Sequence, residues 1–445
     1  MNNQTSIYAD CNGEKPVTVI IVGAGHRSLI YSSYAEKHPE QMKIVGVVDP
    51  DGERRALTKE RFDLQEENCF SDIEELICQP KIADAVINGT MDHLHVATSI
   101  PLLRAGYDIM LEKPIGISRD EVFELYEEAE RLGRKIMICH VLRYAPFYES
   151  IRKAVADGVI GDIISLTTAE NVTYHHMAMA YVRGKWGRKD TGGSSMLMAK
   201  SCHDLDVIAW MKGDVPPVKV SSFGNLLHFR PEKAPDGAGT RCLVDCPIEQ
   251  SCSYSARKHY IEQRLWEGYV TYNTHLGVKL SDEEMAESLK TDSPYGRCVW
   301  KSDNDVVDHQ TVIVEFEDGS TGTHVMTGGT SKRGRSIHII GTKGEIQGEM
   351  EQGSYFIRHP DARKGHLYSE QQIDVGVKKD MHGGGDLLLV ADFIKFLKGV
   401  SPSISSTSLE KSLHGHLIGF AADESRLEQK VVEIRQLHKR ELNNV

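Results

Sequence analysis

Apolar strands and helical segments alternate along the first third of the chain. Helices are predicted over residues 28–38, 52–61, 94–105 and 119–132, each between two runs rich in β-branched or other apolar residues. These runs are VTVIIVG, KIVGVVD, DAVINGT, YDIMLEK and KIMICHV. Repeated strand–helix units with short connections predict a parallel sheet with helices on both faces. Residues 1–145 are therefore predicted to form an α/β domain of the Rossmann type with a doubly wound sheet.

The pattern changes after residue 145. Alternating or aromatic-rich strands are predicted in VKVSSFGNLLHF, QTVIVEFEDGSTGTHVMTG and SIHIIGTKGEIQGEM, and the second of these carries a hairpin turn at EDGS. We expect residues 146–445 to form an α+β domain with a mostly antiparallel sheet. A polar, cysteine-containing insertion at about residues 230–300 and two helices near the C-terminus belong to it.

Charge and cysteine usage narrow the classes of partner. The 445 residues include 64 acidic and 52 basic side chains, a formal net charge of −12. An acidic surface repels phosphate backbones and anionic lipids, so we expect neither nucleic acid nor membrane partners. No apolar run is long enough to span a membrane, and the N-terminus lacks the pattern of a signal peptide. Nine cysteines, several of them in apolar strands, favour the reducing cytoplasm.

The motif GAGHRS begins where the first strand turns into the first helix. Gly23 permits the tight turn, and Gly25 allows a pyrophosphate to approach the helix N-terminus closely. Ser28 replaces the usual third glycine and is small enough for the helix to pack on the strand. Asp49 ends the second strand about twenty residues later, where a carboxylate binds a ribose 2′-hydroxyl and repels a 2′-phosphate. NAD is therefore favoured, and two arginines just downstream leave NADP as the alternative.

A charged pair, Glu112 and Lys113, ends the apolar strand YDIML and is followed by Pro114. Ligands of open α/β sheets bind beyond the carboxyl ends of the strands, and a proline restricts the direction of the residue before it. Lys113 is therefore a candidate active-site residue. A lysine that merely reaches from the strand end to water is the alternative of equal weight.

The glycine turn, Asp49, the segment TMDHLHVA, the segment EKPI and the segment SCHDLD together resemble the glucose–fructose oxidoreductase/inositol dehydrogenase (Gfo/Idh/MocA) family. The resemblance runs from Val17 to about Val432. It implies a sugar, cyclitol or related polyol as substrate, a large open sheet over the nicotinamide, and a homo-oligomer, either a dimer or a tetramer. It also implies an active-site role for Lys113. The predicted cofactor contacts are Gly23, Gly25, His26, Arg27, Ser28, Asp49, Thr90, His93, His95, Glu112 and Lys113.

The segment LMAKSCHDLD is predicted to lie on one helix, with Lys200 and His203 on the same face. The resemblance implies that His203 and Asp206 lie over the nicotinamide ring. Oxidation of a secondary alcohol requires a base for the hydroxyl proton and a donor that stabilises the developing alkoxide. We expect His203 to be the base, kept neutral by nearby lysines, and Lys113 to polarise the oxygen. Lys200 is a second candidate cation, and a core histidine without a catalytic role is the alternative for His203.

One position departs from the family pattern. The family often has an aspartate four residues before the histidine, whereas this chain has Ala199. The missing carboxylate keeps a second reaction class open, in which tightly bound NAD oxidises a glycoside transiently, the aglycone is eliminated, and no net redox change results. A non-catalytic regulator that senses dinucleotides is a third alternative, against which Lys113 and His203 argue.

Polar and aromatic side chains are mixed in the segment YHHMAMAYVRGKWGRKDTGG. Such a mixture suits a polyhydroxylated ring, which is held by hydrogen bonds and stacking. A polar loop with an anchoring tryptophan is the alternative. The candidate substrate-binding residues are Tyr174, His175, His176, Arg183, Trp186 and Asp206.

Three cysteines lie close together in RCLVDCPIEQSC, and a fourth follows in PYGRCVW. Four thiolates form a tetrahedral zinc site in many proteins, and a poorly structured insertion gains stability from such a site. The spacing departs from the CxxC of zinc ribbons and from ferredoxin patterns. Cys242, Cys246, Cys252 and Cys298 are therefore a candidate structural zinc site, with reduced, unliganded cysteines as an equal alternative.

Overall fold

A computed structural model of the protein describes residues 15–275, 279–376 and 382–434. Within these ranges the chain forms two β-sheets, of six and nine strands, each packed against helices. The helices in these ranges are all too short or too polar to cross a membrane.

The first sheet is the parallel sheet that the alternating pattern predicts. Its strands are β1 (Val17–Val22), β2 (Met42–Val48), β3 (Cys69–Phe70), β4 (Ala85–Asn88), β5 (Asp108–Leu111) and β6 (Ile136–Ile138). Their spatial order is β3-β2-β1-β4-β5-β6, and all neighbouring pairs are parallel. This is the Rossmann order, whose direction reverses between β1 and β4. The strands are apolar along almost their whole length because helices cover both faces.

Five helices connect these strands. They are α1 (His26–Lys37), α2 (Gly52–Phe62), α3 (Ile73–Ile77), α4 (His95–Arg104) and α5 (Arg119–Leu132). The last one coincides with the helix predicted from the sequence, because Ser118 caps its N-terminus and Gly133 ends it in a left-handed conformation with φ of +61°.

The second sheet is mixed and mostly antiparallel, as predicted. Its strands are β7 (Ile163–Thr173), β8 (Pro217–Asn225), β9 (His309–Phe316), β10 (Thr321–Thr330), β11 (Gly334–Gly341), β12 (Glu345–Glu349), β13 (Ser354–Pro360), β14 (Tyr368–Asp374) and β15 (Val432–Glu433). They follow the order β14-β13-β12-β11-β7-β10-β9-β8-β15, and only β7 and β10 run parallel among these described pairs. The predicted EDGS turn connects β9 and β10.

Helices cover one face of this sheet. Residues of α6, α9 and α13 form this cover. The remaining α-helices of the described residues are α6 (Pro146–Ala156), α7 (Tyr174–Met177), α8 (Lys189–Gly192), α9 (Met196–Lys212), α10 (Glu267–His275), α11 (Asp282–Lys290), α12 (Gly385–Leu397) and α13 (Leu409–Glu428). Leu205 and Ile208 of α9 share one core with Leu417 of α13 and with Val312 and Val314 of β9. The alternation of buried and exposed positions along β9 follows from this one-sided packing.

The two C-terminal helices reach different parts of the molecule. Leu389 and Phe393 of α12 lie in the same core as Val19 of β1 and Tyr31 of α1. Helix α13 packs between α9, β8 and α5. The first sheet therefore shares its core with residues from the end of the chain, and the proposed domain limit near residue 145 stays a prediction.

An insertion separates β8 from β9. Its described residues include the helices α10 and α11, a π-helix over Arg257–Glu262 and an isolated strand pairing between Arg241 and Arg297. Its aromatic core contains Phe229, Tyr260 and Trp300. The described part of the insertion therefore consists of short helices and loops packed on aromatic side chains, and it adds no strand to either sheet.

Candidate active site

The glycine turn joins β1 to α1. Gly23 has a φ of +77°, and a Cβ atom at this position would lie 2.9 Å from both Gly89 O and Thr90 N. A side chain here would be strained in its backbone and would collide with the loop after β4. The turn therefore requires glycine at residue 23.

Gly25 and Ser28 have different surroundings. A Cβ atom on Gly25 would meet only Gly89 O, at 3.8 Å, so the space beside this residue is open. Ser28 is fully buried, and a Cβ atom on Gly89 would lie 2.1 Å from its hydroxyl oxygen. Gly89, in the loop after β4, is therefore the small residue that lets α1 lie close to the sheet. It faces Ser28 of α1.

Asp49 lies at the carboxyl end of β2, beside the turn. Its Oδ2 accepts a hydrogen bond from Ala24 N at 2.8 Å, and its Oδ1 accepts one from Asp51 N at 2.9 Å. A carboxylate has about four acceptor sites, so lone pairs remain on both oxygens. Asp49 thus orients the glycine turn and keeps capacity to accept a further hydroxyl donor.

The loop after β4 contains Thr90, His93 and His95. The Thr90 hydroxyl donates to Asn88 Oδ1 at 2.9 Å. His95 is buried between two carbonyl oxygens, with Nδ1 2.6 Å from Pro114 O and Nε2 3.2 Å from Thr90 O. His95 therefore connects the Thr90 loop to the segment after Lys113, whereas His93 is exposed.

A buried ion cluster lies behind the glycine turn. Arg27 donates from Nε to Glu112 at 3.1 Å and from Nη2 to Asp386 at 2.5 Å. Tyr31 donates its hydroxyl proton to Glu112 at 2.6 Å. Although burial opposes it, Arg27 lowers the pKa of Glu112 and holds that of Asp386 well below its usual range. The predicted cofactor residues Arg27 and Glu112 are thus paired with each other, and the Nη1 atom of Arg27 is buried without a hydrogen-bond partner among the described residues.

Lys113 crosses from β5 to α9. Its ammonium group donates a hydrogen bond to the carbonyl oxygen of Ala199 at 2.6 Å. The same carbonyl accepts the backbone N–H of His203, because helical bonds join residues four apart. Burial lowers the pKa of Lys113, but the neighbouring groups, Cys202 and Glu112 first among them, raise it more, so the lysine remains charged.

The approach of α9 to Lys113 depends on the glycine pair before the helix. Gly193 has a φ of +89°, and a Cβ atom on it would lie 2.8 Å from His93 N. The Ser194 hydroxyl donates to the Asp92 carboxylate at 2.5 Å. The loop that leads into α9 therefore rests directly on the loop after β4.

His203 lies among other imidazole rings. Its ring centroid is 5.7 Å from those of His140 and His382. Burial, then the charge of Lys113, lowers its pKa well below the usual value. The ring is therefore neutral at physiological pH, and its Nδ1 atom has no hydrogen-bond partner among the described residues. His140 follows β6 and was missed in the sequence analysis, although it occupies a strand end just as Lys113 does.

His140, Cys202 and His203 are the only described residues that bring three potential metal-ligand atoms within 4.8 Å of one another. Burial raises the pKa of Cys202 to about 12, against the opposing charge of Lys113. One thiol and two neutral imidazoles next to the Lys113 ammonium group provide little negative charge to offset a divalent cation. We assign no metal to this trio.

Asp206 is placed differently from the prediction that it contacts substrate. Its carboxylate forms two hydrogen bonds with Arg143, of 2.7 and 2.6 Å, and both side chains are buried. His140 Nε2 lies 3.7 Å away from it. Asp206 neutralises a buried arginine behind the histidine cluster, so any influence on a substrate is indirect.

Lys200 points towards the second sheet. Its ammonium group lies 2.9 Å from Glu170 of β7. Arg335 of β11 lies 2.6 Å from the other oxygen of Glu170 and 3.0 Å from Asp204. Burial lowers the pKa of Lys200 despite Glu170. Lys200, a residue of α9, and Lys113, which reaches α9 from the end of β5, therefore bind different acceptors.

Comparison with known proteins identifies the family of this chain. Residues 17–140 match the description "Oxidoreductase family, NAD-binding Rossmann fold", and residues 152–433 match "Oxidoreductase family, C-terminal alpha/beta domain". The chain belongs to the Gfo/Idh/MocA oxidoreductase family. The resemblance noted in the sequence is thereby confirmed.

Two sequence relatives and one solved structure show which proteins this Gfo/Idh/MocA chain is similar to. Putative oxidoreductase YteT of Bacillus subtilis is 26% identical over 390 residues, covering 84% of this chain and 87% of that protein. The 2,7-anhydro-N-acetylneuraminate hydratase of Escherichia coli is 23% identical over 278 residues, covering 61% and 69%. Levoglucosan dehydrogenase, solved with NADH and levoglucosan, shares the fold with a TM-score of 0.68 at 18% identity, covering 95% and 100%.

The predicted substrate residues of this Gfo/Idh/MocA protein divide into two groups. His175 and His176 contact Trp266 of the insertion, and we call the aromatic surface that they form the aromatic wall. Trp266 Nε1 donates to His175 Nδ1 at 2.8 Å, and the Trp266 ring lies 4.3 Å from the ring of His176. Tyr174 packs on His259 of the same insertion. Trp186 lies farther along the chain, and the Lys185 ammonium is 4.4 Å from its ring centroid.

Arg183 is not on that wall. It is buried within the insertion, where it donates to Arg297 O at 2.6 Å and to Tyr254 O at 2.8 Å. Its Nη2 atom lies 3.5 Å from Cys242 Sγ. The four predicted metal-binding cysteines all line one small cavity beside it. Arg183 thus belongs to the cysteine cluster and not to the candidate substrate side.

The wall was not predicted from the sequence. Tyr269, like Trp266, comes from the insertion, and its ring lies 4.5 Å from that of His26 at the glycine turn. Burial, then the charge of Arg27, lowers the pKa of His26 to about 4. No periodic pattern in the insertion indicates where these aromatic residues lie.

The two glycines of the turn predict separable defects. Gly23→Ala should lower the melting temperature, because its Cβ atom collides with the backbone at residues 89 and 90. Gly25→Ala should leave the melting temperature of the cofactor-free protein unchanged but weaken NADH binding about tenfold or more, measured by fluorescence titration. Wild-type NADH affinity in a folded Gly25→Ala variant would contradict the assignment of this turn as the cofactor site.

Proposed function

We propose that the protein transfers hydride between NAD and a secondary hydroxyl of a sugar, cyclitol or related polyol. The observation that carries this proposal is the bond from Lys113 Nζ to the carbonyl oxygen one helical turn before His203. This bond brings the ammonium group of Lys113, at the end of a strand of the first sheet, to the helix that carries the neutral imidazole of His203. Membership of an oxidoreductase family supports the same chemistry.

His203 and Lys113 have complementary tasks in this proposal. A neutral imidazole accepts the hydroxyl proton, and the unpartnered Nδ1 atom of His203 is available for it. An ammonium group donates a hydrogen bond to the oxygen as negative charge develops there. Lys113 has three protons, and the bond to Ala199 uses one of them. Lys200 lies on the same helix as His203 and is paired with Glu170, and it is the second candidate for the cation.

The glycine turn fits a dinucleotide. The open space beside Gly25, the unpartnered Nη1 atom of Arg27 and the lone pairs of Asp49 suit a pyrophosphate and a ribose. When bound, NAD supplies the two-electron acceptor for the hydride. We place Gly23, His26, Ser28 and the Thr90–His95 loop around it, and we infer NAD in preference to NADP. Bound NADH in the related levoglucosan dehydrogenase supports this choice.

The aromatic wall suits the carbohydrate. Stacked rings and imidazole nitrogens bind the apolar and hydroxylated sides of a sugar, respectively. His175 and His176 face Trp266 in this wall, and Tyr174 extends it. The names of the relatives, a levoglucosan dehydrogenase and an anhydro-sugar hydratase, agree with a carbohydrate substrate. Trp186 is proposed as a further contact, whereas we assign positioning roles to Arg183 and Asp206.

A redox-neutral reaction is the second candidate. Ala199 replaces the usual carboxylate, so Lys113 binds a main-chain carbonyl instead. One relative is named a hydratase, a class whose reaction has no net redox change. Transient oxidation followed by elimination of an aglycone would use the same base and the same cofactor. Cytoplasmic location stays a prediction in either case.

A screen of polyols and glycosides tests the proposal. Oxidation of a free sugar or inositol should raise NADH absorbance, and His203→Ala should lower kcat about 100-fold or more because the proton acceptor is lost. His359→Ala, which removes a histidine of β13 in the second sheet, is the matched control and should retain activity.

The outcomes separate the two reactions. Cleavage of a glycoside without accumulation of NADH would favour the redox-neutral candidate. Undiminished turnover by a folded His203→Ala enzyme would remove this histidine from the mechanism.

The coenzyme preference can be tested at Asp49. Asp49→Asn removes the charge that repels a 2′-phosphate but keeps an oxygen for the Ala24 N–H. The ratio of kcat/KM for NADP to that for NAD should therefore rise about tenfold. Asp51→Asn, which removes a neighbouring carboxylate charge at the N-terminus of α2, should leave the ratio unchanged. An equal ratio in wild type and Asp49→Asn would contradict the assigned role of Asp49.

We also infer a homo-oligomer that covers the outer face of the second sheet. Phe223 is 71% exposed and Ile313 is 45% exposed, on paired strands whose opposite face is buried. Large apolar side chains on an open sheet face mark an interface, and a second copy of the same face is self-complementary about a two-fold axis.

Phe223→Lys should shift the oligomer towards the monomer in light scattering coupled to size-exclusion chromatography. Leu367→Lys changes an equally apolar residue, 87% exposed, in the loop between β13 and β14, and should have no such effect. A monomeric wild-type protein at micromolar concentration would contradict the inference.

A further inference from the structure

We propose that Cys242, Cys246, Cys252 and Cys298 bind a structural zinc ion that holds residues 254–271 against the glycine turn. The proposal is independent of the substrate and of the reaction. It joins two observations that the proposed function does not use, namely the convergence of the four cysteines and the contact of the insertion with His26.

The fold brings the four cysteines together from separate parts of the insertion. Cys242 N donates to Gly296 O and Cys298 N donates to Thr240 O, both at 2.9 Å, so the two cysteines lie diagonally across the antiparallel Arg241–Arg297 bridge. Cys246 and Cys252 lie in the loop that follows, and all four side chains line one cavity with room for about one water-sized sphere. Cys242 and Cys298 are buried, whereas Cys246 and Cys252 are half-buried.

Backbone and side-chain donors point at the sulfur atoms. Tyr254 N donates to Cys252 Sγ at 3.3 Å. Arg183 Nη2 lies 3.5 Å from Cys242 Sγ. Four thiolates around a Zn²⁺ ion carry a net charge of about −2, which is costly to bury without such donors. The Arg183 guanidinium group and the Tyr254 amide supply part of this compensation.

The sulfur atoms have to move closer together to close around an ion. No three of them lie within 4.8 Å of one another, since the only such group among the described residues is His140, Cys202 and His203. Zinc–sulfur bonds of about 2.3 Å need closer spacing than that. Cys246 and Cys252 can supply the movement by side-chain rotation, because both are on a half-exposed loop.

Arg183 connects this site to the aromatic wall. It donates to Tyr254 O at 2.8 Å and approaches the Tyr260 hydroxyl at 3.5 Å, so it ties the residues just after Cys252 to the cavity. The same stretch continues to Trp266, which contacts His176, and to Tyr269, which contacts His26. An ion that fixes Cys252 therefore also restrains the segment that covers the glycine turn.

Metal content and cobalt spectroscopy test the site. Protein purified under reducing conditions should contain about one zinc per chain. After chelation and reconstitution with cobalt, it should show thiolate-to-cobalt charge transfer and the intense visible bands of a tetrahedral site. Cys246→Ser should lose most of the metal, whereas Cys78→Ser, at an exposed cysteine, should keep it.

A second measurement covers the case in which Cys246→Ser does not fold. A mercurial reagent added to wild-type protein should release zinc in step with the modification of four thiols, and hydrogen exchange in residues 254–271 should then rise. Wild-type protein without zinc, whether its cysteines titrate as free thiols, are protected as disulfides or hold an iron–sulfur cluster, would overturn the proposal. Unchanged exchange in that segment after zinc release would overturn its structural role.

Discussion

One partly buried hydrogen bond joins the two halves of the candidate active site. The Lys113 ammonium group, held at the end of a parallel strand, donates to a carbonyl oxygen of α9. A buried ammonium group is stable only where acceptors surround it, so the position of the helix and the charge of the lysine depend on each other. Because Ala199 has no polar side chain, the main chain provides the acceptor, and the next turn of the same helix carries His203. The orientation of the histidine is thus set by the backbone that binds the lysine.

Ion pairs surround a neutral centre in this protein. Arg27 is neutralised by Glu112 and Asp386 on one side, and Arg143 is neutralised by Asp206 on another. Between them, burial lowers the pKa values of His140, His203 and His382, so these rings are uncharged. Among the charged groups, Lys113 lowers the pKa of His203 most. A proton accepted by an imidazole here is destabilised by that cation, which favours its onward transfer.

The sequence predicted those features that depend on local pattern. The parallel sheet, the glycine turn and the helix that carries His203 were predicted because each follows from periodicity or from a motif in a continuous segment. Strand β14 was missed because six of its seven positions are exposed and show no alternation. Trp266 and Tyr269 could not be placed, since the path of an irregular insertion is decided by side-chain packing. Asp206 was expected at the substrate because the sequence does not show that Arg143, more than sixty residues earlier, binds it.

The contribution of α12 to the first core has a consequence for the order in which the molecule is made. Leu389 and Phe393 complete a hydrophobic layer whose other members, such as Val19 and Tyr31, leave the ribosome hundreds of residues earlier. Asp386 on the same helix neutralises Arg27. The nascent cofactor-binding half therefore has an unfilled apolar surface until α12 has been synthesised, and Arg27 has Glu112 but not Asp386 as a carboxylate partner up to that point. Its core is therefore completed only after strands β7 to β14 have been made, which leaves chaperones a long interval in which to bind it.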